Sequence, residues 1–406
     1  MTEHFIPFRK HDILRLAHEG APGGGSFAHT ITLLSLILRQ EFQDRLDRLK
    51  DLYHGMDPNA DTKAVPGEHD RSDAVAFSHE LQELLKRANY RALTQAELDH
   101  ALSAESVFKV KLHTSLGDFR ELTIYTRSMR RRQETITSWF GFKKRVIDVD
   151  FYERVLMYVR FQDAEYFAAG PKRKKLPFTP GTTQLKLFAN VPAADIEMLF
   201  PNSEVRMKTL DKLMIGVPAA IGVATMSAKI LAVLYFLWAL LRWVGAETGV
   251  HAEQVDIAKL AAEAGLVLGA GVAIYLFIGR QLMRYRFKKI QFLQALADNL
   301  FFRNLDNNAG AFHRVLDDAQ EEDVKEAVLA YRFLSEGPAT QAELDARVEG
   351  WFAKRLNTTL DFEVDDGLDK LARFGLAKLD GQIWSAVPPA EAAHLLHERW
   401  KLIAPV

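Results

Sequence analysis

The stretch LMIGVPAAIGVATMSAKILAVLYFLWALL runs from Leu213 to Leu241, and LAAEAGLVLGAGVAIYLFIG follows about 18 residues later, from Leu260 to Gly279. An α-helix rises about 1.5 Å per residue, so roughly 20 apolar residues cross a ~30 Å hydrocarbon core. Each stretch contains one charge, Lys229 in the first and Glu263 in the second. The pair therefore predicts a transmembrane helical hairpin, with spans at about 213–241 and 260–279 and charged flanks that extend it to 206–289.

Lys and Arg cluster outside the two spans, at Arg206, Lys208, Lys212, Arg280, Arg284, Arg286, Lys288 and Lys289, whereas the connecting loop holds only Arg242 and Lys259. The positive-inside bias then predicts an integral membrane protein of bacterial inner-membrane type with both termini cytoplasmic. Ala261, Gly265, Gly269 and Ala273 form a row of small residues at four-residue spacing, suited to close helix packing. Such a row packs either against the first helix of the same chain or in a homo-oligomer. Lys229 costs about 3 kcal/mol at mid-bilayer. It reads as an ion-pair or pathway residue, with Glu263 the candidate partner, or as a side chain that snorkels to the interface.

The whole chain has 406 residues, 26% of them charged, a net charge of −1 and no cysteine. Thiolate zinc sites, disulfides and cysteine nucleophiles are excluded. The near-neutral balance argues against wholesale nucleic-acid binding. Outside the hairpin the chain reads as an N-terminal helical region (1–104), an antiparallel β-rich domain (105–200), a helical connector (290–335) and a winged-helix-like module (336–406). The first region contains an amphipathic helix through Ile31, Leu34, Leu38, Phe42, Leu46, Leu49 and Tyr53. Thr94-Gln95-Ala96-Glu97 is a capping box, and the same hexapeptide TQAELD recurs from Thr340 to Asp345. Period-two alternation begins near Phe108, with further β-rich runs at Glu134–Phe142, Val155–Phe161 and Gln184–Phe188.

The tail reads helix, helix, hairpin, helix. Its second helix carries Glu363, Asp365, Asp366 and Asp369 against Lys370 and Arg373, the wrong sign for a phosphate backbone. No nucleic-acid partner is expected, and a protein-binding or structural module is. The fold class expected is thus an α+β membrane protein: N-terminal helices with a small antiparallel β domain, a two-helix hairpin, and a C-terminal helical segment with a winged-helix-like module.

Several segments together resemble a known family. Phe5-Ile6-Pro7-Phe8-Arg9-Lys10, Ala88-Asn89-Tyr90, Leu185 to Pro192 with Asp195-Ile196-Glu197-Met198, Asn299 to Asn308 and Lys325-Glu326-Ala327 are similar to the transmembrane protein 143-like family, bacterial and organellar membrane proteins containing a domain of unknown function. The resemblance covers nearly the whole chain. It implies an architecture, and no activity or catalytic residue.

The search for chemistry yields few candidates. Asn304, Asp306, Asn307 and Asn308 could grip a polar ligand or a hard cation, or could punctuate two helices. Arg280, Arg284, Arg286, Lys288 and Lys289, with Lys172, Arg173, Lys174 and Lys175, could face anionic lipid headgroups, or form solvated loops and a topology signal. Arg130–Arg132 and Lys143–Arg145 are further basic runs of this kind. His394 and His397 lie three apart but lack a metal-site context. No phosphate-binding loop, dinucleotide fingerprint, nucleophile elbow or His-Glu-x-x-His helix is present. No cofactor or metal is expected.

The function expected is a hairpin-anchored cytoplasmic scaffold or adaptor, self-associating and non-enzymatic, with a cytoplasmic protein partner and membrane lipids around it. The alternatives are a membrane-tethered binder of lipid or an anionic ligand, with or without enzymatic activity, and a subunit of an oligomeric pore or transporter.

Overall fold

A computed structural model describes residues 4–63, 65–66, 71–103, 111–138, 143–169, 176–206, 238, isolated positions between 262 and 294, and 303–403. Two compact units emerge. One unites residues 1–104, 115–202 and 302–406, and the other holds 105–114 and 203–301. The elements in chain order are α1 (Lys10–His18), α2 (Gly25–Tyr53), α3 (Ala74–Arg87), β1 (Arg91–Ala92), α4 (Gln95–Ser103), β2 (Lys111–His113), β3 (Phe119–Ser138), β4 (Lys143–Phe161), α5 (Ala164–Ala169), β5 (Thr183–Pro192), β6 (Glu204–Arg206), β7 (Asn304–Asn307), α6 (Ala309–Leu334), β8 (Ala339–Thr340), α7 (Gln341–Leu356), α8 (Val364–Arg373), β9 (Ala377–Asp380), β10 (Ile383–Ala386) and α9 (Pro389–Ile403).

In the first unit an antiparallel sheet of order β1-β3-β4-β5-β7 is packed by helices. Strands β3 and β4 pair along nearly their whole length. On one face Tyr125, Leu156, Tyr158, Leu185 and Leu187 meet the second half of α2, α3 and the first half of α6. A second apolar cluster joins α1, the first half of α2, the second half of α6 and the C-terminal module. Helix α2, ~43 Å long at 1.5 Å per residue, runs through both clusters, as does α6.

Both TQAELD segments open helices for the same local reason. In each, the Thr side chain accepts from the Glu backbone N–H three residues on, and that Glu reaches back to the Thr backbone N–H (Thr94 with Glu97, Thr340 with Glu343). The tail then forms the three-stranded sheet β8-β10-β9 around α7 and α8. Gly367 lets α8 lie against α6. A Cβ there would sit 2.9 Å from the Ala330 Cβ and 3.1 Å from the Glu326 carbonyl oxygen.

Helix α6 is the central rod. Every residue from Glu322 to Leu334 is buried, including Glu322, Asp323, Lys325 and Glu326. A helix buried all round is normally apolar all round. Here the charges are answered by partners from both ends of the chain. The Ile6 N–H donates to Glu322 at 2.7 Å. Lys325 donates to the Ile6 carbonyl at 2.7 Å and pairs with Glu322 at 2.6 Å. Lys370 of α8 sits 3.1 Å from Asp323 and 2.6 Å from Glu326. One ammonium thus serves two carboxylates. Burial pulls the Lys370 ammonium down, and Glu326 and Asp323 more than reverse that, leaving it raised and firmly charged. Burial raises the Glu326 carboxyl; Lys370 opposes the rise, and Glu322 and Asp323 add to it.

The membrane reading is corrected. Among the described residues no helix is long and apolar enough to cross a membrane. The length exists, in α2 and α6, but both carry charges along their course. Apart from Trp238 and isolated positions from 262 to 279, the spans Leu213–Leu241 and Leu260–Gly279 lie outside the described residues, as do Lys229 and Glu263. The fold class supported is α+β with an antiparallel sheet. The transmembrane hairpin, the membrane class and the inner-membrane localisation have no support in it. In the second unit, β2 pairs antiparallel with β6.

Lys325→Met would leave Glu322 buried without its cation. It should cost about 3–5 kcal/mol, the usual penalty for breaking a buried pair from one side. The loss is read as a lowered urea midpoint of the full chain; an unchanged midpoint would show that the segment around Ile6 is held some other way.

Candidate functional site

A cleft of about 690 Å³ lies within the first unit. That volume lies within the range of ligand pockets. One wall is built by the N-terminal arm (His4, Phe5), the end of α3 and the turn after it (Lys86, Asn89, Tyr90), and the middle of β3 (Thr126 to Met129). The other wall comes from the C-terminal module, with Gln341 and Asp345 of α7 and the segment Asp361 to Asp366 leading into α8.

Local backbone chemistry places the first wall. Asn89 and Ser128 both adopt positive φ, 58° and 52°. Asn tolerates this better than most residues, and Ser pays for it. Ser128 lies between two regular pairs, Arg127 with Arg154 and Met129 with Tyr152, and Asn190 on β5, also at φ 52°, lies between Tyr152 and Arg154's partners there. The regular pairing is interrupted along one row of three strands, at Ser128, Glu153 and Asn190. Asn89 holds the arm by donating from its side chain to the His4 carbonyl at 3.3 Å. Arg127, almost wholly buried, stacks over the Phe5 ring at 4.3 Å and the Tyr90 ring at 5.0 Å, and pairs with Asp318 at 3.1 Å. The Tyr90 hydroxyl is buried with no hydrogen-bond partner. Burial pushes it up to about 12, so it stays a neutral donor and acceptor.

The second wall is acidic. Asp345, Asp361, Glu363, Asp365 and Asp366 line it. Gln341 donates to Asp365. His4 lies 3.6 Å from both Asp361 and Glu363 and offsets them only when protonated. Burial, then the neighbouring Glu349, Asp361 and Asp365, push the Asp345 carboxyl up to about 6. Burial and Asp366 likewise raise Glu363. Like-charge repulsion here marks a negative field, offset at Glu363 in part by His4 and Lys370.

The residues singled out in the sequence are placed elsewhere. Asn304, Asp306 and Asn307 form β7, the edge strand beside β5. Asn308 precedes α6 with φ 50°. Its side-chain oxygen accepts from the Leu185 N–H at 3.2 Å and the Tyr53 hydroxyl at 3.3 Å. Asp306 accepts from Arg314 at 3.4 Å. The cluster joins a strand to a helix; Asp306 and Asn308 serve different neighbours, and the Asn304 Oδ1 is buried without a hydrogen-bond partner. Among the described residues no group of three or more His, Asp or Glu side chains is arranged to hold a metal.

Of the basic candidates, Arg280 and Arg286 are exposed, while Arg284, Lys288, Lys289 and Lys172 to Lys175 lie outside the described residues. Arg130 and Arg131 are paired across the strands with Glu153 and Asp150, and Arg132 donates to Asn190. In the small-residue row, Gly265 and Gly269 are exposed with nothing within 4 Å of an added Cβ, and Ala261 and Ala273 lie outside the described residues. His394 and His397 are exposed on α9. Sequence reasoning missed Tyr90, Arg127 and Asp345 as a group, since α3, β3 and α7 bring them together from distant positions. The surplus of carboxylates near Glu363 was the one available signal.

Residues 152–310 match a family described as Protein of unknown function (DUF3754). Of the residues lining the cleft, only Tyr152 falls within that match. No solved structure matches the chain.

The pH dependence has a definite sign. In the unfolded chain Asp345 titrates near 3.9, so the folded form binds its proton more tightly. The benefit of that proton is complete below about pH 4 and is lost as pH rises through about 6. Asp345→Asn removes the repulsion. Its thermal midpoint should exceed that of the wild type at pH 7 and converge with it near pH 4; parallel curves would refute the assignment.

Proposed function

We propose that the protein is a non-enzymatic adaptor whose acidic cleft receives a basic segment of a partner protein. The observation that carries this reading is the charge imbalance of the cleft. Five carboxylates line one wall, while of the cations opposite Arg91 is engaged by Glu97 at 2.9 Å and Arg127 by Asp318 at 3.1 Å, which leaves Lys86 and His4 to face the five. A Lys or Arg side chain entering here relieves the repulsion at Asp345. The unpartnered Tyr90 hydroxyl supplies an acceptor for an incoming N–H. A duplex phosphate backbone is disfavoured, because the second helix of the winged-helix-like module presents carboxylates.

The likeness to the transmembrane protein 143-like family belongs to this proposal. Two of the segments that carry it, Phe5–Lys10 and Ala88–Tyr90, contribute Phe5, Asn89 and Tyr90 to the cleft. On this reading the motifs serve partner binding and not chemistry.

The test is fluorescence anisotropy with a labelled decapeptide of alternating Arg and Ser, titrated with the full chain. Binding should be saturable at pH 7, weaken with added salt as charge attraction is screened, and weaken again below pH 6. The double variant Glu363→Gln/Asp365→Asn should bind at least tenfold more weakly. Equal affinity in that variant, or no binding by the wild type, would end the proposal.

A further inference from the structure

A second, smaller pocket of about 240 Å³ lies in the first unit and has the opposite sign. It is lined by Glu41, Asp44, Arg45 and Arg48 of α2, Arg87 at the end of α3 and Arg373 at the end of α8. Four arginines thus line one small space. The carboxylates around them are already shared. Glu41 holds Arg373 at 2.9 Å and Arg399 at 4.0 Å. Glu80 holds Arg48 at 3.0 Å and Arg45 at 3.6 Å. Asp323 holds Arg87 at 3.5 Å but also Lys370. Asp44 accepts from Gln40 at 3.0 Å.

The Arg45 Nη1 is buried and has no hydrogen-bond acceptor. Burial, and then the charge of Arg87, lower the Arg45 pKa, with Glu80 and Glu83 opposing. A buried guanidinium N–H without an acceptor, beside further guanidinium groups, is what a bound oxyanion would complete. The size narrows the class. At roughly 30 Å³ per water, the pocket holds about eight waters, enough for a phosphoryl group with its first shell and too little for a whole nucleotide. The arginine fork matches phosphate oxygens in geometry as well as in charge.

We propose that this pocket binds a phosphate dianion, either free or as the monoester of a larger molecule whose remainder stays outside. Bound there, it ties α2 and α3 to the end of α8. The proposal stands independently of the acidic cleft.

The test uses the full chain, thermal-shift assays and isothermal titration, with inorganic phosphate, adenosine 5′-monophosphate and a chloride control at matched ionic strength. Wild type should show saturable stabilisation by phosphate above the chloride control. Arg48→Gln, whose side chain is largely in solvent, and Arg45→Gln should each weaken it at least tenfold. Arg355→Gln, outside the pocket, should leave it unchanged. If Arg45→Gln fails to fold, Arg48→Gln alone decides. A response to phosphate but not to the monophosphate supports a free-ion site, and a response to both supports a phosphate monoester as ligand. No saturable shift in the wild type, or an undiminished one in Arg48→Gln, overturns the proposal.

Discussion

Charge buried on a central helix is the constraint from which the rest follows. Removing ions from water costs several kcal/mol each unless partners meet them. Helix α6 buries Glu322, Asp323, Lys325 and Glu326 within five positions. Their partners are Ile6 near one end of the chain and Lys370 near the other. The arm and the C-terminal module are therefore drawn to the same stretch of one helix. The acidic cleft is the space left where these two pieces meet the middle of β3.

Helix α8 connects the two sites. Its first turn carries Asp365 and Asp366, which line the acidic cleft, and its last turn carries Lys370 and Arg373, the latter lining the arginine pocket. This distribution also suits the helix dipole, negative side chains at the N-terminus and positive at the C-terminus. The same residues thus serve helix stability and present opposite charges to two different openings. Gly367 between them permits the close approach to α6 that holds both in place.

Local signals in the sequence were readable where one segment sufficed to make them. The two capping boxes, the amphipathic face of α2 and the helix, helix, hairpin order of the tail all depend on neighbours within a few residues. The long β3–β4 hairpin was visible only in pieces, because Arg130–Arg132 interrupts the apolar alternation and is satisfied by partners across the strands. The buried charges were invisible for a simple reason. Glu322, Asp323, Lys325 and Glu326 have the spacing of a solvated face, and only tertiary partners reveal otherwise. The apolar runs point in the other direction, toward a membrane span, and no described helix supports one. Both pockets draw on residues hundreds of positions apart, so no local pattern announces them.

The buried charges of α6 tie the two ends of the chain together, so the two should open as one cooperative body. Native-state hydrogen exchange of the full protein measures this directly. The Ile6 amide, which donates to Glu322, should exchange with the same opening free energy as the amides of α6 between Glu322 and Leu334. An Ile6 amide that exchanges freely while that stretch of α6 stays protected would contradict it.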